Sequence, residues 1–259
     1  VRYPRPFLFS LRPLEGHPNH QQESIASRIL CLYDNAGESF EPGKDTAANP
    51  VTRHLARSHL LMYLFDPTQD PRFRERCKGA SKDVQMVDAP VTSRQETVLH
   101  EAATRIRRYT GLSHEEKHRR PLIVIVTKYD AWASLLKDAK LRDVWKTDAQ
   151  ENVLKLDMAY IRRVSKRVRK VLWQLSPEIV AAAEGFSENV IYVPCSATGR
   201  APEKDPNTGQ LGIRPRDIKP VWAEVPFLYA LGNWTTGLIS RVPNVNGQSV
   251  PPERWPPQS

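Results

Sequence analysis

Three short loops hold the residue types that could do chemistry together. Asp34-Asn35-Ala36-Gly37-Glu38 follows the run SRILCLY, Thr127-Lys128-Tyr129-Asp130 follows LIVIV, and Cys195-Ser196-Ala197-Thr198-Gly199 follows VIYVP. A carboxylate such as Asp34 suits a hard cation, which prefers oxygen ligands. Gly37 lets a backbone N–H approach an anion with no side chain in the way. Asp130 can accept two hydrogen bonds, Lys128 offers an apolar stem under a charge, and the Ala197 amide, beside Ser196, can donate. Each loop also has a plain reading. D-x-x-G is a common turn, T-K-x-D an exposed turn with an Asx cap, and S-A-T-G a helix N-cap. Three in this order, each after an apolar strand, carry more weight, because ligands in α/β sheets sit beyond the carboxyl ends of the strands.

The elements that must position these loops are legible as hydrophobic runs. HLLMYLF (59–65), PLIVIV (121–126) and NVIYVP (189–194) lack alternation, as suits strands covered on both faces. RPFLFSLR (5–12) and SRILCLY (27–33) flank a turn-rich segment and should pair antiparallel. Ser93 and Glu96 fit a capping box opening a helix over about 94–110, with Val98, Leu99, Ala102, Ile106 and Tyr109 on one side. Residues 145–175 carry the longest helical spacing, through Leu154, Ile161, Val164, Val168, Val171, Leu172 and Leu175. Residues 51–58 could form a short helix, and 67–90 read as loop. Residues 220–239 read as helical in parts, with Pro226 kinking or interrupting them. Trp222, Phe227, Tyr229, Leu231 and Trp234 should pack this last helix on the sheet. Strands alternating with helices argue for an α/β sheet with helices on both faces. One domain over 1–240 is expected, then a Pro-rich tail over 241–259, extended or disordered.

A chain of 259 residues, 40% hydrophobic and 26% charged, falls in the soluble globular class. Its longest apolar runs fall far short of the roughly 20 residues that span a bilayer. The net charge of +9 favours anionic partners without choosing among them. Cys31, Cys77 and Cys195 lack metal or disulfide spacing; Cys31 and Cys195, inside apolar runs, should be buried, and a reducing cytoplasm fits. His17 and His20 share a loop with no further ligands nearby, and no G-x-S-x-G elbow occurs. RRVSKRVRK at 162–170 carries six positive charges: Arg162, Arg163, Lys166, Arg167, Arg169 and Lys170. They could be a solvated helix face, or a patch for nucleic acid, anionic lipid or an acidic partner. A second basic cluster, Lys117 to Arg120, should lie in a loop.

The three loops together resemble the later motifs of the Ras-type and translation-factor P-loop GTPases: D-x-x-G, then [NT]-K-x-D, then S-A. Within that superfamily the sequence is most similar to bacterial double-GTPase domains, over roughly residues 5–232. The resemblance implies a three-layer α/β/α nucleotide-binding domain, its mainly parallel sheet carrying an antiparallel edge strand pair. It implies a cytoplasmic guanine-nucleotide switch with slow, regulated GTP hydrolysis, taking GTP or GDP and Mg²⁺. Asp34 would hold Mg²⁺ through a water, and the Gly37 N–H would sense the γ-phosphate. Asp130 would accept from the guanine N1–H and exocyclic amine, with the Lys128 stem along the base. Ala197 N–H would bond O6, while Ser196 and Thr127, the latter in place of the commoner Asn, brace their loops. Glu38 stands where many relatives place a water-orienting Gln; a carboxylate there adds repulsion, so hydrolysis should be slow or partner-dependent. A protein partner or second GTPase domain is implied as well.

One motif of that family is missing. G-x-x-x-x-G-K-[ST] does not occur; Gly43-Lys44 is followed by Asp45. In the family the first strand and this loop precede the strand pair placed at 5–33. The expectation is therefore a chain truncated before Val1, lacking that strand and the P-loop and binding nucleotide weakly. The alternative is a domain that never had the loop, acting as a non-catalytic module that docks an acidic partner through its basic helix.

Overall fold

Runs of branched and aromatic residues build the strands, and the chain alternates them with helices. The computed structural model describes residues 5–35, 37–40, 52–88, 95–136, 141–148, 152–206 and 208–243. Strands β1 (Phe7–Leu11) and β2 (Arg28–Leu32) flank a loop and a turn of helix, α1 (Glu23–Ala26). β3 (Leu61–Phe65) is followed by α2 (Pro71–Cys77), α3 (Gln85–Asp88) and α4 (Gln95–Thr110). β4 (Leu122–Val126) runs into α5 (Tyr129–Trp132), and then comes the hairpin of β5 (Trp145–Asp148) and β6 (Val153–Leu156). α6 (Met158–Leu175) and α7 (Pro177–Phe186) lead to β7 (Val190–Pro194), the short pair β8 (Glu203–Lys204) and β9 (Leu211–Gly212), and α8 (Val225–Trp234).

The centre is a parallel sheet in the order β3-β4-β7, with Tyr63, Val124 and Tyr192 level across it. Every residue of β4 is buried, which explains why LIVIV carries no polar alternation. α6 turns Ile161, Val164, Val168 and Leu172 inward and lays them on β7. Its buried Ser165 accepts from the Tyr192 amide at 2.9 Å, so a polar residue costs little there. Phe73 of α2 packs between Phe65 of β3 and Trp132 of α5. Two buried aspartates set helix starts. Asp70 accepts from the Arg72 and Phe73 amides ahead of Pro71, and Asp157 from the Tyr160 amide.

Several expectations are corrected. Residues 67–90 hold α2 and α3 rather than only loop, and Asp70-Pro71 is the start signal that polar composition hid. The helix expected over 145–175 begins at Met158. Trp145, Thr147 and Val153 form a hairpin before it, and Leu154 is exposed on a strand. Pro226 sits in the first turn of α8, where its missing N–H is harmless, and does not interrupt the helix. The β1–β2 pair is antiparallel as expected, but among the described residues it is a separate sheet and not the edge of the parallel one. Cys31 is exposed, because it shares the open face of β2 with Ile29; Cys77 is the buried thiol. Trp222, Tyr229 and Trp234 are buried, while Phe227 and Leu231 face a cavity. Ser93, Gly43-Lys44-Asp45, Ala36 and residues 244–259 lie outside the described residues. Among the described residues no helix is long and apolar enough to cross a membrane.

Candidate functional site

The loops after β4 and β7 meet at the carboxyl end of the sheet, and backbone hydrogen bonds fasten them. Thr127 donates to the Phe65 carbonyl with both its amide (2.9 Å) and its hydroxyl (3.0 Å), stitching the loop to β3. Lys128 turns the chain with φ 50° and ψ 44°, the left-handed region. A lysine there is strained, and four contacts hold the loop around it. The Tyr129 amide donates to Cys195 O at 3.0 Å, and the Trp132 Nε1–H to Thr127 O at 2.8 Å. The Lys128 ammonium donates to Asp66 Oδ2 at 2.7 Å and to Thr68 Oγ1 at 2.9 Å, which lays its stem across the site.

Asp66 is itself fixed. Its amide donates to Gln95 Oε1 (2.7 Å), and Gln95 returns a bond to its carbonyl (2.9 Å). The loop after β7 is braced by Ser196, which is buried. Its hydroxyl accepts from the Gly199 amide (2.8 Å), and its amide donates to Val221 O. Gly199 is required here: φ is +69°, and a Cβ would lie 1.8 Å from Lys219 O. The exposed Ala197 follows, and no described residue accepts from its amide.

Gln95, Thr127, Lys128, Ser196 and Ala197 line a cavity of about 1060 Å³, whose wall also includes Asp34, Gly37, Asp83 and Asp130. Its volume suits a small organic ligand. Asp130 Oδ1 is buried without a hydrogen-bond partner among the described residues. An orphaned carboxylate oxygen is costly, so it marks a position where an external donor is wanted. Asp83, 2% exposed, stands close enough to Asp130 for the charges to matter. Burial, and then the Asp130 carboxylate, push the Asp83 carboxyl above its ordinary range despite the bond it accepts from the Gln85 amide.

The structure thus brings Thr127, Lys128, Asp130, Ser196 and Ala197 together, with Asp34 and Gly37 on the same wall. Asp34 is exposed, and the described residues hold no group of three or more His, Cys, Asp or Glu able to hold a metal ion. A Cβ at Gly37 would meet nothing within 4 Å, so the chain alone does not demand glycine there. The Glu38 side chain lies outside the described residues.

Sequence reasoning missed Asp66, Thr68, Gln95 and Asp83. Asp66-Pro67-Thr68 follows β3 as the other loops follow their strands, and that position was the available signal.

The basic stretch divides. Arg162, itself exposed, donates to Asn233 Oδ1 at 2.9 Å and Arg169 pairs with Glu184; Arg163, Lys166, Arg167 and Lys170 are exposed as well. The second cluster is only partly a solvated loop. Arg120 is buried and donates to Ala56 O and Ser58 O, and His118 is buried against Phe186. His17 is satisfied by Leu238 O and the Asn19 amide. The chain matches no family model, and comparison with curated proteins and with solved structures returns no match.

Proposed function

We propose that this cavity binds the base of a guanine nucleotide, and that the chain is a GTPase-like switch domain of the P-loop type. The observation that carries the reading is the buried Asp130 Oδ1, without a partner among the described residues, on the same cavity wall as the Ala197 amide, to which no described residue offers an acceptor. Guanine presents two donors, N1–H and its exocyclic amine, next to the O6 acceptor. Asp130 would take the donors and Ala197 N–H would give to O6. Adenine offers neither adjacent donor pair nor a carbonyl, so the same groups would be left unpaired with it, at a cost. The Lys128 stem, tied down at Asp66 and Thr68, would cover one face of the base.

Asp34 and Gly37 share the cavity wall and would face the phosphates. When bound, Mg²⁺ would offset phosphate charge, and Asp34 is the residue that would hold it. The 259 residues hold no G-x-x-x-x-G-K-[ST] loop, whose amides and lysine supply most phosphate affinity. Affinity should therefore be weak and turnover negligible in this chain, since slow, regulated GTP hydrolysis would need a phosphate cradle. Displacement of a fluorescent GDP analogue tests the base reading. GDP and GTP should compete at least tenfold better than ADP and ATP; equal competition would sink it.

A second reading rests on the exposed cations Arg162, Arg163, Lys166, Arg167 and Lys170, which would dock an acidic partner or anionic surface. Binding through them should fall steeply with salt, whereas a buried guanine contact should fall little.

A further inference from the structure

α6 carries no acid in its 18 residues. The acids that flank it are already taken: Asp157 by Arg142 and Lys146, Glu178 by Arg72, and Glu184 by Arg169. Arg163, Lys166, Arg167 and Lys170 are exposed and make no ion pair among the described residues. Like charges this close repel one another, and nothing in the described fold offsets them. Ile161, Val164, Val168 and Leu172 occupy the opposite, buried side of the helix.

An aromatic ring stands at the end of this row. Trp173 is 53% exposed and falls on the same side of the helix as the cations. At about 1.5 Å per residue it lies about 15 Å along the axis from Arg163. Its ring is held. The Arg169 guanidinium sits 5.6 Å from the ring centroid, and Glu184 grips that guanidinium through Nε (2.5 Å) and Nη2 (2.8 Å). The result is a half-open indole, fixed in place, beyond four uncompensated charges.

Three polyanions could meet such a face. A bilayer is the poorest fit, because the apolar side of α6 faces the core and Trp173 is its only exposed large apolar residue. An acidic peptide would use the cations and leave the indole idle. Single-stranded nucleic acid uses both: the guanidinium forks of Arg163 and Arg167 match phosphate oxygens, and every base has a face that stacks on an aromatic ring.

We infer that α6 binds single-stranded nucleic acid, with phosphates along Arg163, Lys166, Arg167 and Lys170 and one base stacked on Trp173. The inference rests on the second reading above, that these cations dock an anionic partner. No residue of α6 lines the nucleotide cavity, so it does not depend on the guanine reading.

The test is fluorescence anisotropy of a labelled oligothymidylate of about twelve nucleotides. Its affinity should fall with salt at a log–log slope of about −3, for about four phosphates at roughly −0.7 each. Lys166→Glu together with Lys170→Glu should weaken it at least about tenfold. Trp173→Ala should weaken it at least about fivefold with the salt slope unchanged, and Trp173→Phe should restore most of the loss. These side chains are exposed, and circular dichroism checks that each variant keeps its helices. Oligothymidylate binding that Trp173→Ala leaves intact would overturn the inference while sparing the charge reading. Tighter binding of a polyglutamate peptide, or of phosphatidylserine/phosphatidylcholine vesicles, would do the same. No binding of any of the three would overturn both.

Discussion

Replacing Asp130 by Asn separates a ligand-binding role from a structural one, because the two predict opposite signs. The substitution keeps the shape of a carboxylate whose Oδ1 is buried and partnerless. It also removes a charge that raises the neighbouring Asp83. An unsatisfied buried polar group costs about 1–3 kcal/mol. Relieving part of that should stabilise the ligand-free protein by about 1 kcal/mol, or roughly 2–4 °C in Tm for a chain of this size. The guanine reading assigns Asp130 two charge-assisted hydrogen bonds, worth about 1.5–3 kcal/mol each. Asn turns an acceptor into a donor facing a donor, so GDP affinity should fall at least about 100-fold, at a factor of ten per 1.4 kcal/mol. Thermal unfolding with and without millimolar GDP reads both effects in one plate. The expected pattern is a higher Tm without ligand and no GDP-induced rise. A lower ligand-free Tm with an undiminished GDP response would refute the reasoning, since Asp130 would then be a structural residue.

Three other outcomes follow from the contacts. His118 is pushed down to about 4, first by burial and then by Arg120, against about 6.5 in the unfolded chain. Its contribution is full above pH 6.5 and is lost as pH falls toward 4, so in His118→Phe the urea midpoint should vary less between pH 4 and 7. The Asp157 carboxyl lies at about 2: burial raises it, but bonds from Lys146 and Arg142 outweigh that. Its stabilisation should hold above about pH 4 and vanish as pH falls toward 2, and Asp157→Asn should cost about 1–3 kcal/mol at pH 7 by denaturant titration. Trp132→Phe leaves Thr127 O without its Nε1–H donor. A stability loss of about 1–3 kcal/mol should come with weaker GDP binding, because the loop carrying Lys128 and Asp130 loses a brace.

The parts of the fold legible in the sequence are those where burial is two-sided. LIVIV is buried throughout and NVIYVP in its last three residues, and the loops after them are the ones that meet; HLLMYLF, expected to be covered alike, forms β3 with Leu64 62% exposed. The hairpin at 145–156 was hidden because Leu154 continues the helical spacing of α6, while the real start is the Asp157 cap three residues later. The site was half legible for a similar reason. Lys128 and Asp130 sit in the first residues beyond a strand, where position alone marks them. Asp83 reaches the cavity only through the packing of α3, and Gln95 only through its bonds to Asp66, so neither has a local signature. The edge position expected of the β1–β2 hairpin came from the family resemblance alone, because the pairing of two strands says nothing of what flanks them.

The most direct test of the central claim is amide chemical-shift mapping by NMR with GDP and, in parallel, ADP. Under the guanine reading, GDP moves the amides of Thr127, Asp130, Ala197 and Thr198, and ADP at equal concentration moves them little. Shifts confined to the exposed cations of α6, or alike for both nucleotides, would contradict it and leave phosphate charge as all that this chain recognises.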